Sequence, residues 1–225
     1  MNYASYIDHT LLKADATEKD IKRICKEAKE NEFFSVCINP CFVKYAKKCL
    51  KGTNVKVCTV IGFPLGANSS KIKHAEAKRA IADGVDEIDV VMNIGKFKEK
   101  KYTYVGKELA KIVDLSNKKV IVTVIIETCY LTKEEILRAC QLVYECGVDF
   151  VKTSTGYGTN GAQVEDVKMM KEVCKDRLKI KASGGIKTVA QVQEFILAGA
   201  ERIGTSSGVN IIKEGIEAEN QEKSA

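Results

Sequence analysis

Short runs dense in Val, Ile and Cys alternate along the chain with longer segments whose apolar positions recur at helical spacing. Runs of this length bounded by turn residues are buried strands, the longer periodicity is that of amphipathic helices, and their alternation spells βα units around a parallel sheet. Strands are predicted at Tyr6–Leu11, Phe34–Ile38, Lys56–Ile61, Glu87–Val91, Val120–Ile126, Phe150–Thr153, Lys179–Ala182 and Arg202–Gly204. Helices are predicted between them, among others at Glu18–Asn31, Ser69–Asp83, Lys133–Cys146 and Val189–Ala198. Thr17 and Thr132 stand where N-caps belong, the second opening a Thr-x-x-Glu box. Gly84, Gly147 and Gly199 stand where helices end before strands, as left-handed C-caps do. Eight strands, each followed by a helix, close into a TIM (β/α)8 barrel, expected as a single α/β domain over residues 1–225. An open doubly wound sheet, which usually has fewer strands, is the alternative.

Composition narrows the class. Hydrophobic residues at 45% and charged residues at 29% describe an ordinary globular protein, and no apolar run approaches the roughly 20 residues that span a bilayer. Met1–Asp8 carries no basic segment followed by an apolar core, so no secretory signal is expected. The formal charge is +6, but lysine and glutamate alternate; Lys96–Lys101 and the pair Lys118–Lys119 read as solvated faces and turns. No basic surface interleaved with aromatics emerges, so neither nucleic acid nor membrane is an expected partner. A mildly basic cleft still attracts small anions. The nine cysteines include no Cys-x-x-Cys, and the only histidines are His9 and His74, so no metal site is expected. Cys37, Cys58, Cys140, Cys146 and Cys174 sit in apolar patterns as small hydrophobes, and unpaired thiols in this number point to a reducing, cytoplasmic setting.

In such a barrel the active site lies at the C-terminal ends of the strands, so ionisable residues inside or just after strands are the informative ones. Three stand out: Asp89 in Glu87–Val91, Lys152 in Phe150–Thr153, and Lys181 in Ile180–Ala182. Each is also readable as a strand-end residue reaching solvent, or Asp89 and one lysine as a structural ion pair. Three such residues on three strands weaken that reading, because a buried lysine becomes a nucleophile when desolvation and a second cation disfavour its charged form. Ser183–Gly184–Gly185–Ile186 and Gly204–Thr205–Ser206–Ser207–Gly208 follow the last two strands, where barrels frequently bind phosphate through backbone N–H groups and hydroxyls. Gly156–Tyr157–Gly158–Thr159–Asn160–Gly161 fits the dinucleotide pattern G-x-G-x-x-G, but about 20 residues on, where an acidic residue belongs, the chain is basic around Lys179–Lys181. His74–Ala75–Glu76 matches a deaminase H-x-E without its cysteine partners, and reads as a helix-surface pair.

Several of these segments, in order from about residue 6 to residue 210, resemble the motifs of the deoxyribose-phosphate aldolase family. They are Ile7–Leu11, Val36–Pro40, Ile61–Gly66, Glu87–Asn93, Val151–Gly156 and Ile180–Ile186. The resemblance implies reversible cleavage of 2-deoxy-D-ribose 5-phosphate to acetaldehyde and D-glyceraldehyde 3-phosphate, in deoxyribose phosphate catabolism, without metal or other cofactor. By position it implies that Lys152 is the Schiff-base nucleophile and that Asp89 and Lys181 form a proton relay, Lys181 also disfavouring the charged form of Lys152. It implies that Asp8, Thr10 and Cys37 line the sugar end of the pocket. Thr155, Gly156, Gly184, Gly185, Gly204, Ser206 and Ser207 would hold the phosphate, with Lys187 nearby. A homo-oligomer, dimer or tetramer, is compatible with it. Two departures are visible: Tyr157 stands where some members have lysine, and the tail Glu214–Ala225 lacks the tyrosine that some use in proton transfer. Another Schiff-base aldolase, a phosphate-binding barrel isomerase and an inactive sugar-phosphate-binding barrel are the alternatives.

Overall fold

The computed structural model describes residues 2–222. Its strands are β1 (Ile7–Leu11), β2 (Ser35–Ile38), β3 (Lys56–Ile61), β4 (Glu87–Val91), β5 (Ile121–Ile125), β6 (Phe150–Lys152), β7 (Lys179–Ser183) and β8 (Arg202–Thr205). Each pairs in parallel with the next, and β8 returns to β1 with Ile203 opposite Ile7 and Gly204 opposite Asp8, so the barrel is closed. Around it run α1 (Glu18–Glu30), α2 (Val43–Cys49), α3 (Ser70–Ala82), α4 (Ile94–Lys98), α5 (Tyr102–Ser116), α6 (Lys133–Glu145), α7 (Val164–Cys174), α8 (Val189–Leu197) and α9 (Gly208–Glu222).

The local signals act as expected. Thr17 and Thr132 form capping boxes with Asp20 and Glu135, and Gly84, Gly147 and Gly199 adopt φ of +89°, +73° and +109° where the chain turns from helix to strand. One departure from a strict one-helix-per-strand repeat follows β4. Asn93 caps the short α4 by accepting the Lys96 N–H, and Lys100 then takes a left-handed conformation that breaks the run before α5.

Strand alternation divides the buried residues into two shells. The outer shell, between strands and helices, is aliphatic, with Val36, Val57, Ile88, Val122, Val151, Ile180 and Ile203 packed in one continuous cluster. The interior holds a small apolar cluster of Leu12, Cys37, Cys58 and Val60. Its inward positions also hold Asp8, Glu87, Asp89, Lys152, Lys181 and Arg202, and these carry the chemistry, since an unpaired charge in a dry interior is costly. A separate buried pair, Lys73 and Glu108 at 2.6 Å, joins α3 to α5 outside the barrel; the Lys73 ammonium also donates to the Val91 carbonyl.

Candidate active site

Parallel pairing sets Lys152 on β6 directly beside Lys181 on β7. Two ammonium groups at that spacing repel unless an anion separates them, and Asp89 on β4 does so. Its Oδ2 accepts from Lys152 Nζ at 2.6 Å and from Lys181 Nζ at 2.9 Å, and its Oδ1 from Lys181 at 3.2 Å. Lys181 also forms an ion pair with Asp8 Oδ2 at 2.6 Å. Asp8 Oδ1 accepts from the Ser35 hydroxyl at 2.5 Å and from the Arg202 guanidinium, which in turn donates to both oxygens of Glu87 at 3.1 and 3.2 Å. Lys152, Asp89, Lys181, Asp8, Arg202 and Glu87 thus alternate in sign along one chain of contacts, and all six are buried.

The alternation decides which groups are ionised. Burial would raise the Asp89 carboxyl, but Lys152 and then Lys181 override it and hold it well below the usual carboxylate range. Burial would likewise neutralise Lys181, but Asp8 and Asp89 hold its ammonium well above the ordinary lysine value. Asp8 is lowered, against burial, by Arg202 and Lys181. Glu87 at the far end is raised, by burial and by the neighbouring Asp8 charge, although Arg202 opposes this. Lys181 therefore rests as a cation that can donate a proton, and a protonated amine is no nucleophile.

A cavity of about 270 Å³ opens at the C-terminal ends of the strands. Lys152 lines it together with Thr10 from β1, Thr155–Tyr157 after β6, Gly184, Gly185 and Lys187 after β7, and Gly204 and Ser206 at and after β8. Gly156, Gly184 and Gly185 all have positive φ, a left-handed backbone that a side chain would strain. The N-terminus of α9 begins two residues after Ser206, giving an anion a favourable dipole. A larger hollow of about 780 Å³ lies outside, along α7 and α8, and contains none of the six network residues.

Residues 3–214 match the family model described as the DeoC/LacD family aldolase. The chain belongs to this family of aldolases. A deoxyribose-phosphate aldolase of Clostridium novyi is 52% identical over 220 residues, covering 98% of this chain and 99% of that protein. One of Finegoldia magna is 55% identical over 213 residues, covering 95% and 100%. Among solved structures, the aldolase QR15 superposes with a TM-score of 0.92 at 42% identity, covering 96% of each chain. The tetrameric deoxyribose phosphate aldolase from Aeropyrum pernix superposes at 0.87 with 32% identity, covering 93% of this chain and 89% of that one.

In this DeoC/LacD aldolase Lys152, Lys181 and Asp89 do meet, but the other expected site residues separate into two groups. Thr10, Thr155, Gly156, Gly184, Gly185, Lys187, Gly204 and Ser206 line the cavity. Asp8 and Cys37 do not. Asp8 is buried beneath it against Lys181 and Arg202, and Cys37 lies beside Cys58 and Asp89, with one ligand-type atom of each within 4.8 Å of the others. Ser207 is also outside the lining, its N–H donating to Thr205 Oγ1 at 2.9 Å. Tyr157, one of the two expected departures, donates its hydroxyl to the Leu12 carbonyl at 2.7 Å and sets its ring edge-on to Phe63 at 5.3 Å. The His74–Glu76 pair is not merely a surface feature, because Glu76 accepts the Gly62 N–H at 2.7 Å.

Sequence reasoning missed Arg202, Glu87 and Glu127. A period-two count was the available signal for the first two. Arg202 shares the inward phase of Gly204, and Glu87 that of Asp89.

Proposed function

We propose that this aldolase cleaves 2-deoxy-D-ribose 5-phosphate reversibly to acetaldehyde and D-glyceraldehyde 3-phosphate through a Schiff base on Lys152. The observation that carries the residue assignment is that Lys152, unlike Lys181, borders the cavity while sharing the same carboxylate. The substrate follows from relatives of that name more than 50% identical over nearly the whole chain.

The Lys152 amine adds to the C1 aldehyde, and loss of water leaves an iminium. Removal of the C3 hydroxyl proton then lets the C2–C3 bond break, its electron pair passing into the iminium to give an enamine and free glyceraldehyde 3-phosphate. Protonation at C2 and hydrolysis release acetaldehyde and restore the amine. Asp89 and Lys181 serve, with water, as the proton relay, a contribution typically worth about 10² to 10⁴ in rate. The glycine loops after β6 and β7, Lys187 and Ser206 hold the phosphate, so that binding energy remote from the reacting carbon orients it.

Two further readings belong here. The chain works as a homo-oligomer, as its tetrameric Aeropyrum relative supports, and in a reducing cytoplasm, as its nine free cysteines support. Among the described residues no helix is long and apolar enough to cross a membrane.

Borohydride reduction in the presence of acetaldehyde, followed by peptide mass mapping, tests the assignment. The adduct is expected on Lys152, and Lys152→Ala should lose turnover while keeping the wild-type melting temperature. An adduct on Lys181, or an active Lys152→Ala, overturns it.

A further inference from the structure

Glu127 is a buried carboxylate that the reaction scheme leaves unused. It follows β5 directly after Ile126, whose N–H donates to the Lys152 carbonyl at 3.0 Å, and it adopts a left-handed backbone, φ 54° and ψ 69°. A residue other than glycine incurs a steric cost in that conformation. The side chain lands on Thr155. Both carboxylate oxygens accept the Thr155 N–H at 3.2 Å, and Oε2 also accepts the Thr155 hydroxyl in a short contact. The Thr155 oxygen in turn accepts the Tyr157 N–H at 3.0 Å.

Thr155 therefore has no donor left for a phosphate, although it borders the cavity. Its N–H and O–H are both committed to Glu127, so a phosphate must be met by other groups lining the cavity, among them the Lys13 and Lys187 side chains and Ser206. The loop is tied at its other end too, where the Ala162 N–H bonds the Ser183 and Gly184 carbonyls at 3.1 Å. Glu127 also leaves no room on the loop's inner side. A Cβ at Gly158 would lie 3.1 Å from its carboxylate carbon and 2.7 Å from Cys129 Sγ.

We propose that Glu127 is a positioning residue that sets the loop from Thr155 to Gly161, and that selection for a phosphorylated sugar depends on it although it touches neither the phosphate nor the reacting carbon. This rests on the aldolase reading for its substrate, but not for its binding test.

Glu127→Gln keeps the shape and sets an amide N–H₂ against the Thr155 donors. Losing a charge-assisted hydrogen bond is expected to raise KM for 2-deoxy-D-ribose 5-phosphate by about tenfold. Meanwhile kcat, and kcat/KM for unphosphorylated 2-deoxy-D-ribose, stay within about twofold of wild type, a split that general loosening of the fold would not produce. Gly158→Ala presses on the same clamp from the loop side while leaving the carboxylate itself chemically intact, and is expected to raise the same KM. Calorimetric titration with inorganic phosphate reads the same loss of about tenfold in affinity whether or not the wild type turns over this sugar. An inactive wild type that binds phosphate more tightly than Glu127→Gln would defeat the substrate assignment and leave the clamp standing. Equal losses on both sugars, or unchanged phosphate affinity in both variants, overturn the clamp.

Discussion

Arg202→Met tests whether the charge chain inside the barrel is a single unit. Arg202 is 4% exposed and lies between Asp8 and Glu87, both essentially without solvent contact. Its guanidinium carbon also sits 3.3 Å from the centroid of the Phe34 ring, a contact that methionine can largely replace. What methionine cannot replace is the charge, so two carboxylates are left with one cation fewer. Breaking a buried pair by removing one partner costs about 3 to 5 kcal/mol. For a chain of this length each kcal/mol moves the melting midpoint by about 2 to 4 °C, so scanning calorimetry should show a fall of about 6 to 20 °C. Adding Glu87→Gln removes one of the stranded carboxylates, and the double variant should regain part of that loss, with a coupling of about 0.5 to 3 kcal/mol. A single variant melting within about 2 °C of wild type, or two additive substitutions, would refute the idea that these charges hold one another.

Two further outcomes follow. Asp8 and Asp89 have folded pKa values below their unfolded ones, so the stability they contribute is complete at neutral pH and is lost as pH falls below about 4; Glu87, Glu108 and Glu127 are raised, so their protonation favours the fold above the ordinary carboxylate range, against the loss from His9, whose imidazole burial holds neutral. Melting curves from about pH 7 to about pH 2 check this, and a midpoint that does not fall as pH drops below about 4 contradicts it. Tyr157→Phe keeps the ring on Phe63 but loses the bond to the Leu12 carbonyl, worth about 0.5 to 1.5 kcal/mol; KM for the phosphorylated sugar should rise about two- to tenfold at constant kcat, and an unchanged KM would show that the strap is idle.

The barrel was legible because its strands are short apolar runs and its helices carry punctuation, so every predicted strand coincides with an observed one to within a residue at either end. Capping threonines and terminal glycines act locally, and their partners lie within a few residues. Lys152, Lys181 and Asp89 were legible as charges where charges are costly. Their partners were less so. Asp8 meets an arginine 194 positions away, and nothing near Ile7–Leu11 tells whether Asp8 looks into the cavity or beneath it. Cys37 is displaced from the expected lining for the same reason: it lies on an inward phase, but deeper than the cavity reaches. Glu127 falls just outside a predicted strand in a left-handed turn, where neither alternation nor helical spacing applies.

The link between Asp8 and Arg202 has a consequence for biosynthesis. These two residues stand on the first and last strands, so the stitch that closes the cylinder also completes the electrostatics around Lys181. A nascent polypeptide that has emerged only through β7 already contains both lysines and Asp89, yet Asp8 has no guanidinium to face and the wall after β8 is missing. Competence for chemistry therefore arrives with the final strand, all at once, and a cylinder truncated before β8 is expected to have none.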